Sequence, residues 1–355
     1  MESDREKIII IAHNDIRKRA DFIFSPLEIS HKFMPVLLET DKYGFLNTVC
    51  YLLKNRTEYN KTVFLGGDFK NFILIILWTA LKKQKIIRLG GTIKQVRKQE
   101  ISACFHQRQF VAFLKLSLNY FFSICSLNMA NAFIMVNKNI LKEVKKYNKY
   151  VKIIPQFIQL PPLNCNENRY TAIPPCDHIS ILTVTNLNYK EKCRGVVELL
   201  TFLSADDFFK ININIEILGG GDFKDDLIKK VSNLNLQDNI HLKIQGFVAN
   251  TSYYYSKADI FLYNSKLDST PNVILESMAH GLPLVINNYE PFKSIIDSRN
   301  AIFFHDYESF KTAFLRLCQD KKKRVKMGKY NQDYIRHYFS KERILSDIES
   351  FLERL

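Results

Sequence analysis

The sequence predicts a chain of the α/β class with two domains, each built on a parallel β-sheet covered by helices. Its 355 residues exceed one ordinary domain and suit two of about 150–180 residues. Short apolar runs bounded by turn residues alternate with helical stretches along both halves. Repeated strand–helix units give parallel sheets that bind ligands at the carboxyl ends of their strands. A proline-rich, polar span near residue 165 separates the halves, and the net charge changes there as well.

Five short apolar runs predict the strands of the first domain. They lie at residues 8–12, 62–65, 85–89, 132–137 and 151–154. The loop after the first strand, residues 13–19, lacks the glycine-rich pattern of a dinucleotide-binding fingerprint. Arg88 and Gly90 close the third strand, where a glycine lets the backbone approach a ligand. We therefore expect these two residues to contact phosphate or acceptor, with a structural ion pair as the alternative for Arg88.

The apolar stretch at residues 110–125 is expected to form a core helix of the first domain. The alternative is a helix whose outer side contacts a lipid surface or a lipid acceptor. A spanning helix is not expected, because no uncharged apolar run reaches the roughly 20 residues that a membrane span requires. The first residues carry charges of both signs without the apolar core of a signal peptide, which favours a cytoplasmic chain. Seven cysteines without a CxxC pair argue against a disulfide framework or a zinc site.

The first half of the chain is strongly basic. Residues 1–165 hold 26 lysine and arginine residues against 12 aspartate and glutamate residues, a net charge of +14. The remainder holds 25 against 24, a net charge of +1. A helix predicted to begin at the cap Asn139 adds a lysine stripe at positions 142, 145, 146 and 149. This asymmetry indicates nucleic acid, a phosphorylated substrate or an anionic membrane face as partner, and simple solubility explains it as well.

The domain boundary is predicted between residues 165 and 166, in a span typical of an interdomain linker. Residues 1–165 would form the first domain and residues 166–335 the second. Residues 336–355 would form a C-terminal helix able to cross back to the first domain. Strands of the second domain are predicted at residues 178–185, 213–218, 240–245, 259–263 and 284–287.

Residues 259–288 predict a strand, a loop, a helix and a second strand. Thr270 is expected to cap the helix, with Pro271 at its first position and Gly281 at its end. A helix that begins just past a parallel strand binds anions through its free N–H groups and its dipole. Asp268 and Glu276 frame this anion site, and carboxylates accept hydrogen bonds from sugar or ribose hydroxyls. Phosphate between hydroxyl groups describes a nucleotide-sugar; a solvated loop acid and a surface glutamate are the simpler alternative.

Four segments of the second domain carry a family resemblance. They are a strand with a basic loop (183–195), a glycine-rich turn (217–223), a base-facing loop (245–248) and two acids separated by seven residues (268–276). Taken in this order, they resemble the GT-B glycosyltransferases of the large retaining family numbered four. The resemblance covers residues 178–330 well and the first half in outline. It implies two Rossmann-like domains facing a cleft, with acceptor bound by the first and nucleotide-sugar by the second.

The resemblance also implies roles for individual residues. Glu276 would hold the ribose hydroxyls, and Asp268 would lie by the donor sugar. Lys192 and Arg194 would neutralise the leaving diphosphate as the glycosidic bond breaks. Backbone N–H groups would face the diphosphate and the sugar, and neighbouring loops would line the rest of the donor. The backbone groups are those of Ser269, Thr270, Asn272 and Val273, and the loop residues are Asn186, Gly219, Gly220 and Phe247.

Three positions depart from the family pattern. Asp268 stands where a longer glutamate is usual, which can change the sugar hydroxyl that it meets. Asn186 stands where an arginine is common, so part of the positive charge near the phosphates must come from elsewhere. Arg194 takes the position of the usual lysine with Lys192 as a near neighbour, and the sequence does not separate their roles.

The sequence and this resemblance therefore predict a metal-independent hexosyltransferase for polysaccharide, lipopolysaccharide or capsule synthesis, and the resemblance implies that it retains the configuration of the sugar. It would move a sugar from a UDP- or GDP-linked donor to a lipid-linked or surface-glycan acceptor. The donor is a substrate, so no cofactor is expected. We expect a cytoplasmic protein that lies on the cytoplasmic membrane through its basic half. Alternatives are a GT-B epimerase or hydrolase of nucleotide-sugars and a nucleic-acid-binding protein, which is disfavoured because aromatic residues do not interleave with the basic clusters.

Overall fold

The computed structural model describes residues 5–12, 17–66, 68–90, 101, 105, 110–161, 178–208, 210–268 and 271–355. The chain divides into two compact units: residues 1–157 with 341–355, and residues 158–340. Each unit contains a six-stranded parallel sheet with flanking helices, which confirms the predicted α/β class. The predicted boundary at residue 165 and most of the proline-rich span lie outside the described residues.

The first sheet has the strand order β2-β1-β3-β4-β5-β6, and its four central strands are buried on both faces. In β1, Ile8 and Ile10 enter the core on one face, whereas Ile9 and Ile11 enter the core on the other. This follows because successive strand residues point to opposite sides of a sheet. The strands are β1 (Glu6–Ala12), β2 (Phe33–Glu39), β3 (Lys61–Leu65), β4 (Gln84–Leu89), β5 (Ala132–Met135) and β6 (Tyr150–Ile153).

The edge strand β2 is a strand that the sequence did not predict. Pro35 interrupts its apolar run, and proline removes a hydrogen-bond donor from a sheet. Because β2 pairs with β1 alone at the sheet edge, the missing donor costs no ladder bond in the interior.

The helices of the first unit cover both faces of its sheet. One face packs against α1 (Arg17–Glu28) and the last helix of the chain, and the other packs against α3, α4, α5 and α6. The Asp68 side chain caps α4 by accepting a hydrogen bond from the Asn71 backbone N–H at 2.9 Å. The remaining bounds are α2 (Thr40–Tyr43), α3 (Phe45–Lys54), α4 (Phe69–Ala80), α5 (Phe110–Met129) and α6 (Leu141–Val144).

Helix α5 is not the core helix that the sequence predicts. Its buried residues, Ser123, Ser126 and Leu127, lie in its last turns, and large apolar side chains elsewhere along it are exposed. Within the described ranges it is also the one helix long and apolar enough to cross a membrane, judged by length and composition. Lys115 interrupts the uncharged run, which is why counting consecutive apolar residues missed it.

The lysine-rich stretch after β5 is not one continuous α-helix. Two 3₁₀ turns, Lys138–Ile140 and Lys145–Tyr147, flank the single turn α6. The cap is Asn137 rather than Asn139: Asn137 has extended backbone, and its side chain accepts a hydrogen bond from the Asn139 backbone N–H at 3.0 Å. The predicted division of faces is present, because Ile140 and Val144 are buried while the lysines are exposed.

The second sheet has the order β12-β11-β10-β7-β8-β9. The chain starts at the centre with β7, adds β8 and β9 on one side, and returns to add β10, β11 and β12 on the other. Because the direction of winding reverses between β7 and β10, the carboxyl ends of these two strands border the crevice where such sheets bind ligands. The strands are β7 (His178–Val184), β8 (Asn212–Leu218), β9 (Ile240–Gly246), β10 (Ile260–Tyr263), β11 (Leu284–Asn287) and β12 (Ala301–Phe304).

The two last long helices belong to different units. Ile335 and Phe339 of α13 pack in a core of the second unit, whereas Ile344, Ile348 and Phe351 of α14 pack in a core of the first. The helices that follow the strands of the second unit are α7 (Lys190–Leu203), α8 (Lys224–Ser232), α9 (Ser252–Lys257), α10 (Asn272–Ala279), α11 (Glu290–Lys293) and α12 (Tyr307–Gln319), followed by α13 (Lys321–Phe339) and α14 (Lys341–Leu352).

Candidate active site at the carboxyl ends of β7 and β10

Helix α10 begins one residue later than the sequence predicts. Pro271, not Thr270, occupies the cap position, with extended backbone at φ −74° and ψ 119°, and the helix starts at Asn272. Thr270 and Ser269 lie outside the described residues. Asn272 and Val273 form the first turn, where the N–H groups have no acceptor within the helix. These two N–H groups and the helix dipole are available to an anion.

The C-terminal end of α10 follows the prediction. Gly281 has φ +72°, its N–H donates to the Met278 carbonyl at 2.9 Å, and the Leu282 N–H donates to the Ser277 carbonyl at 3.0 Å. These two bonds form a Schellman motif, which requires a left-handed residue just past the helix. Glycine adopts that conformation without steric cost, so the helix length is fixed locally.

Asp268 is held by three side chains. Its Oδ1 lies 2.9 Å from the Lys192 Nζ, and its Oδ2 accepts hydrogen bonds from the Tyr263 hydroxyl and, at 3.1 Å, from the Ser265 hydroxyl. Burial, and then the negative charge of Asp268, raise the pKa of Tyr263 well above its ordinary value of 10.0. Tyr263 therefore keeps its proton and remains a donor to the carboxylate. Asp268 is thus a positioned, partly buried acid rather than a solvated loop residue.

Lys192 and Arg194 occupy different environments. The Lys192 side chain is 6% exposed and pairs with Asp268, whereas Arg194 is exposed. Residues two apart on an α-helix point roughly 200° away from each other around its axis. Lys192 therefore faces the strand ends, and Arg194 faces away from Asp268. The structure therefore distinguishes the environments of two residues that the sequence could not tell apart.

A close backbone approach places Lys192 on Asp268. A Cβ atom on Gly195 would lie 2.1 Å from the Asn264 carbonyl oxygen, which is closer than any real contact. Asn264 follows β10, and its side-chain amide donates to the Gly195 carbonyl at 3.3 Å and to Glu198 Oε2 at 3.1 Å. Gly195 lies one turn after Lys192, so the face of α7 that meets β10 is also the face that carries the lysine.

Glu276, on helix α10, is positioned by a hydrogen bond from Tyr255 of helix α9. The Tyr255 hydroxyl donates to Glu276 Oε2 at 3.0 Å, and its ring stacks on His280 at a centroid distance of 5.0 Å. His280 in turn contacts the Glu276 carbonyl oxygen and the Ser252 hydroxyl, each at 2.9 Å. Burial raises the pKa of Glu276 above its ordinary value of 4.5, and the hydrogen bond from Tyr255 opposes that rise. Tyr255 thus stabilises the charged form of a half-buried acid.

The glycine-rich turn packs the loops after β7, β8 and β9 together. A Cβ atom on Gly219 would lie 1.9 Å from the Thr185 carbonyl oxygen, and one on Gly221 would lie 2.3 Å from Asn188 Oδ1. The Gly219 N–H donates to the Gly246 carbonyl at 2.7 Å, and the Leu187 N–H donates to the Gly220 carbonyl at 2.8 Å. A side chain at these positions would overlap the neighbouring loops. Glycine therefore lets the loops after β7, β8 and β9 pack this closely.

Two predicted loop residues are exposed on this edge. Asn186 lies in the loop after β7, and Phe247, which is 80% exposed, lies after β9. A Cβ atom on Gly220 would lie 3.0 Å from the Phe247 Cβ, so the backbone at Phe247 lies directly beside the glycine turn. An exposed ring at the carboxyl edge of a parallel sheet offers a flat apolar surface to a ligand base.

Arg88 and Gly90, predicted to contact phosphate or acceptor, belong to the first unit. Arg88 is buried within β4, and Gly90 is exposed just beyond it. Among the residues described, no group of three or more histidine, cysteine, aspartate or glutamate side chains could hold a metal ion.

Sequence reasoning missed the residues that position the two acids. No site role was predicted from the sequence for four residues: Tyr255, Tyr263, Ser265 and Asn287. The Asn287 side chain accepts from the Ser265 N–H and donates to the Ser265 carbonyl, both at 3.0 Å, and so fixes the loop that carries Asp268. The available signal was Tyr263 at the end of an otherwise apolar strand, since a buried tyrosine hydroxyl needs a partner.

The second half of the chain is similar to known glycosyl transferases. Residues 173–334 match the family model for glycosyl transferases group 1. Over 132 residues, or 36% of this chain, the sequence is 22% identical to the alpha-monoglucosyldiacylglycerol synthase of Streptococcus pneumoniae. Over 131 residues it is 28% identical to the lipopolysaccharide core biosynthesis glycosyltransferase LpsE of Rhizobium meliloti. These alignments span only 29% and 38% of the two relatives.

Solved structures share the fold over the whole chain. The Anabaena protein HepE, in complex with UDP and glucose, has a TM-score of 0.68 at 12% identity and covers 99% of this chain and 100% of its own. Sucrose-phosphate synthase from Thermosynechococcus elongatus has a TM-score of 0.69 at 14% identity, with 99% of both chains covered. The fold is GT-B, as the resemblance implied.

Replacing Gly195 by alanine is expected to destabilise the second unit by about 1–3 kcal/mol, because the new methyl group overlaps the Asn264 carbonyl oxygen. Urea unfolding measures the change. Gly90→Ala is the matched control, since a Cβ atom there meets nothing within 4 Å. Equal stability of the two variants would contradict the close approach.

The stability of the free protein is expected to fall as pH rises from 4.5 through the raised pKa of Glu276. In that window the folded protein binds more protons than the unfolded chain, so the free energy of unfolding decreases with pH. Urea unfolding across this range should show a flatter profile for Glu276→Gln. Tyr255→Phe removes the hydrogen bond that lowers the pKa of Glu276, so the decrease in stability should continue to higher pH. Tyr253→Phe, at an exposed tyrosine, should match the wild type. An unchanged slope in Glu276→Gln would disprove the assignment.

Proposed function

We propose that this chain, whose second domain belongs to the group 1 glycosyl transferases, transfers a sugar from a nucleotide-sugar donor to an acceptor hydroxyl. The observation that carries the proposal is the Lys192–Asp268 pair at the winding reversal of the second sheet, next to the first turn of α10. Fixed positive charge, free N–H groups and two positioned acids suit a ligand with a diphosphate between hydroxyl-bearing groups.

The donor is proposed to lie along the carboxyl ends of β7, β8 and β10. Glu276, which is positioned by the hydrogen bond from Tyr255, would accept hydrogen bonds from the ribose hydroxyls. Asp268 would accept from a hydroxyl of the donor sugar, and the N–H groups of Asn272 and Val273 would face the diphosphate. Phe247 would border the base. The UDP bound to HepE supports a uridine donor, with GDP as the alternative.

Asp268 has limited capacity for the sugar. Two hydroxyls and one ammonium group already occupy both of its oxygens, and its side chain is shorter than the usual glutamate. A carboxylate offers about four lone-pair sites, so one position remains for a sugar hydroxyl. We therefore propose that Asp268 selects one hydroxyl of the donor sugar rather than chelating two.

The reaction is proposed to need no strong general base. The bond between the anomeric carbon and the diphosphate oxygen breaks, the acceptor oxygen bonds to the same carbon, and the acceptor proton passes to the leaving phosphate. Lys192 would stabilise the charge that develops on that phosphate, because a fixed ammonium group needs no reorganisation at the transition state. Retention of configuration and metal independence are part of the proposal; complete loss of turnover on chelation would contradict the latter.

The acceptor is proposed to be a lipid-linked or surface glycan. Two relatives carry names from glycolipid and lipopolysaccharide synthesis, and the first half of this chain is strongly basic. A basic surface suits a phosphate-bearing acceptor.

A thermal-shift panel of UDP, GDP, their sugar conjugates and AMP tests the donor site. We expect one diphosphate series to raise the unfolding temperature, since a ligand at about 100 times its Kd adds about 2.7 kcal/mol of stability. Glu276→Ala should lose that shift. The absence of a shift with every nucleotide, or an unchanged shift in Glu276→Ala, would overturn the assignment. Turnover of the donor without acceptor would indicate the epimerase or hydrolase alternative.

Lys192→Met is expected to lower kcat by roughly 10²–10³, the usual loss when one transition-state charge contact is removed. Arg194→Met is the matched control, because it removes a cation two residues away that faces away from Asp268. Steady-state kinetics with the donor found in the panel measure both. A larger loss for Arg194→Met than for Lys192→Met would reverse the two roles.

A further inference from the structure

Helix α5 of the first unit exposes a continuous apolar face. Val111, Leu114 and Leu118 recur at helical spacing, and Phe110 and Phe121 lie at the ends of the same face. These five side chains are between 48% and 85% exposed. Single exposed apolar residues are common on soluble proteins, but a contiguous apolar patch marks an interaction site.

Helix α4 extends this face sideways. It packs on α5 through Phe69 and Phe72, whose rings lie 4.7 and 5.0 Å from the ring of Phe122. Phe69 and Ile76 of α4 are each 45% exposed. The apolar patch, defined by Phe69, Ile76, Phe110, Val111, Leu114, Leu118 and Phe121, therefore covers two neighbouring helices.

A basic flank borders the apolar patch on its other side. The sheet order β3-β4-β5-β6 follows the chain, and right-handed crossovers place the connecting segments side by side on one face in the order α4, α5 and α6. The segment around α6 exposes five lysines and holds one half-buried acid, Glu143. The basic flank consists of Lys138, Lys142, Lys145, Lys146 and Lys149. Helix α5 itself contains Lys115 and no acidic residue.

The charge pattern selects among possible occupants. An apolar face next to lysines is the pattern of elements that lie in the interface of an anionic bilayer, with apolar side chains among the acyl chains and lysines at the headgroups. A partner protein or a second copy would bury the apolar patch without needing a row of lysines beside it. A spanning helix is disfavoured, because Ser126 and Leu127 are buried in the first unit and the chain enters β5 three residues after α5.

We infer that the apolar patch of α4 and α5, together with the basic flank around α6, binds the surface of an anionic lipid bilayer. The apolar side chains enter the interface, and the lysines pair with lipid phosphates. This surface would hold the first unit where a lipid-linked acceptor is presented, and in that respect alone the inference rests on the proposed function. The binding itself requires neither donor nor acceptor.

Flotation of the full chain with vesicles tests the inference. We expect binding to vesicles of phosphatidylglycerol and phosphatidylcholine, and little binding to phosphatidylcholine alone. Leu114→Gln with Leu118→Gln should weaken binding to anionic vesicles about tenfold, because two apolar side chains no longer gain from burial. Replacing Lys142, Lys145 and Lys146 by glutamine should weaken it by about fivefold per lysine at low salt. Ile228→Gln, at an exposed apolar residue of the second unit, is the control and should bind like the wild type.

Three results would overturn the inference. The first is anionic vesicle binding that the leucine variant leaves unchanged. The second is a dimer in sedimentation equilibrium that the leucine variant abolishes, without vesicle binding by the wild type. The third is retention of the chain in vesicles after alkaline carbonate extraction, which indicates a spanning helix.

The same variants separate this inference from the proposed function. The leucine variant should keep the thermal shift given by nucleoside diphosphates, since its changes lie in the other unit. Loss of nucleotide response in the wild type with intact vesicle binding would sink the proposed function alone. Intact nucleotide response without vesicle binding would sink the bilayer surface alone.

Discussion

The candidate site depends on one steric constraint, the contact between the backbone of α7 at Gly195 and the end of β10 at Asn264. Winding of the second sheet reverses between β7 and β10, and that reversal alone would leave an open crevice. The glycine lets the helix after β7 lean against the strand on the other side of the crevice. Lys192 and Asp268 meet as a result, although they are 76 positions apart in the sequence.

Much of this architecture could be predicted from the sequence. Burial on both faces of the sheet makes a continuous apolar run such as Ile8–Ile11 recognisable as a strand, and Gly281 ends α10 through its own left-handed backbone. Pro271 and Gly281 also bounded α10 to within one residue. These features succeed because each is decided within a few residues. The GT-B arrangement needed the order of several such segments rather than any one of them.

The predictions that were wrong, and the contacts that were missed, depend on tertiary structure. Composition makes α5 a core helix, yet only the fold decides which of its faces meets the sheet. The cap of the lysine-rich segment moved to Asn137 because the end of β5 sets the backbone conformation there. Lys192 and Arg194 are both basic residues of α7, and the sequence does not show that their side chains point to different sides of the helix. Tyr255 and Tyr263 act on acids 21 and 5 residues away, contacts that no periodicity encodes.

The crossing from α13 to α14 has a consequence for synthesis on the ribosome. Ile344, Ile348, Phe351 and Leu352 fill a core whose strands lie within the first 154 residues. The first unit therefore emerges early but stays without part of its core until residues 341–352 have been translated. The second unit, continuous from residue 158 to 340, can close first. Domains usually fold in the order of their synthesis, but here the nascent chain contains the whole core of the second unit before it contains that of the first.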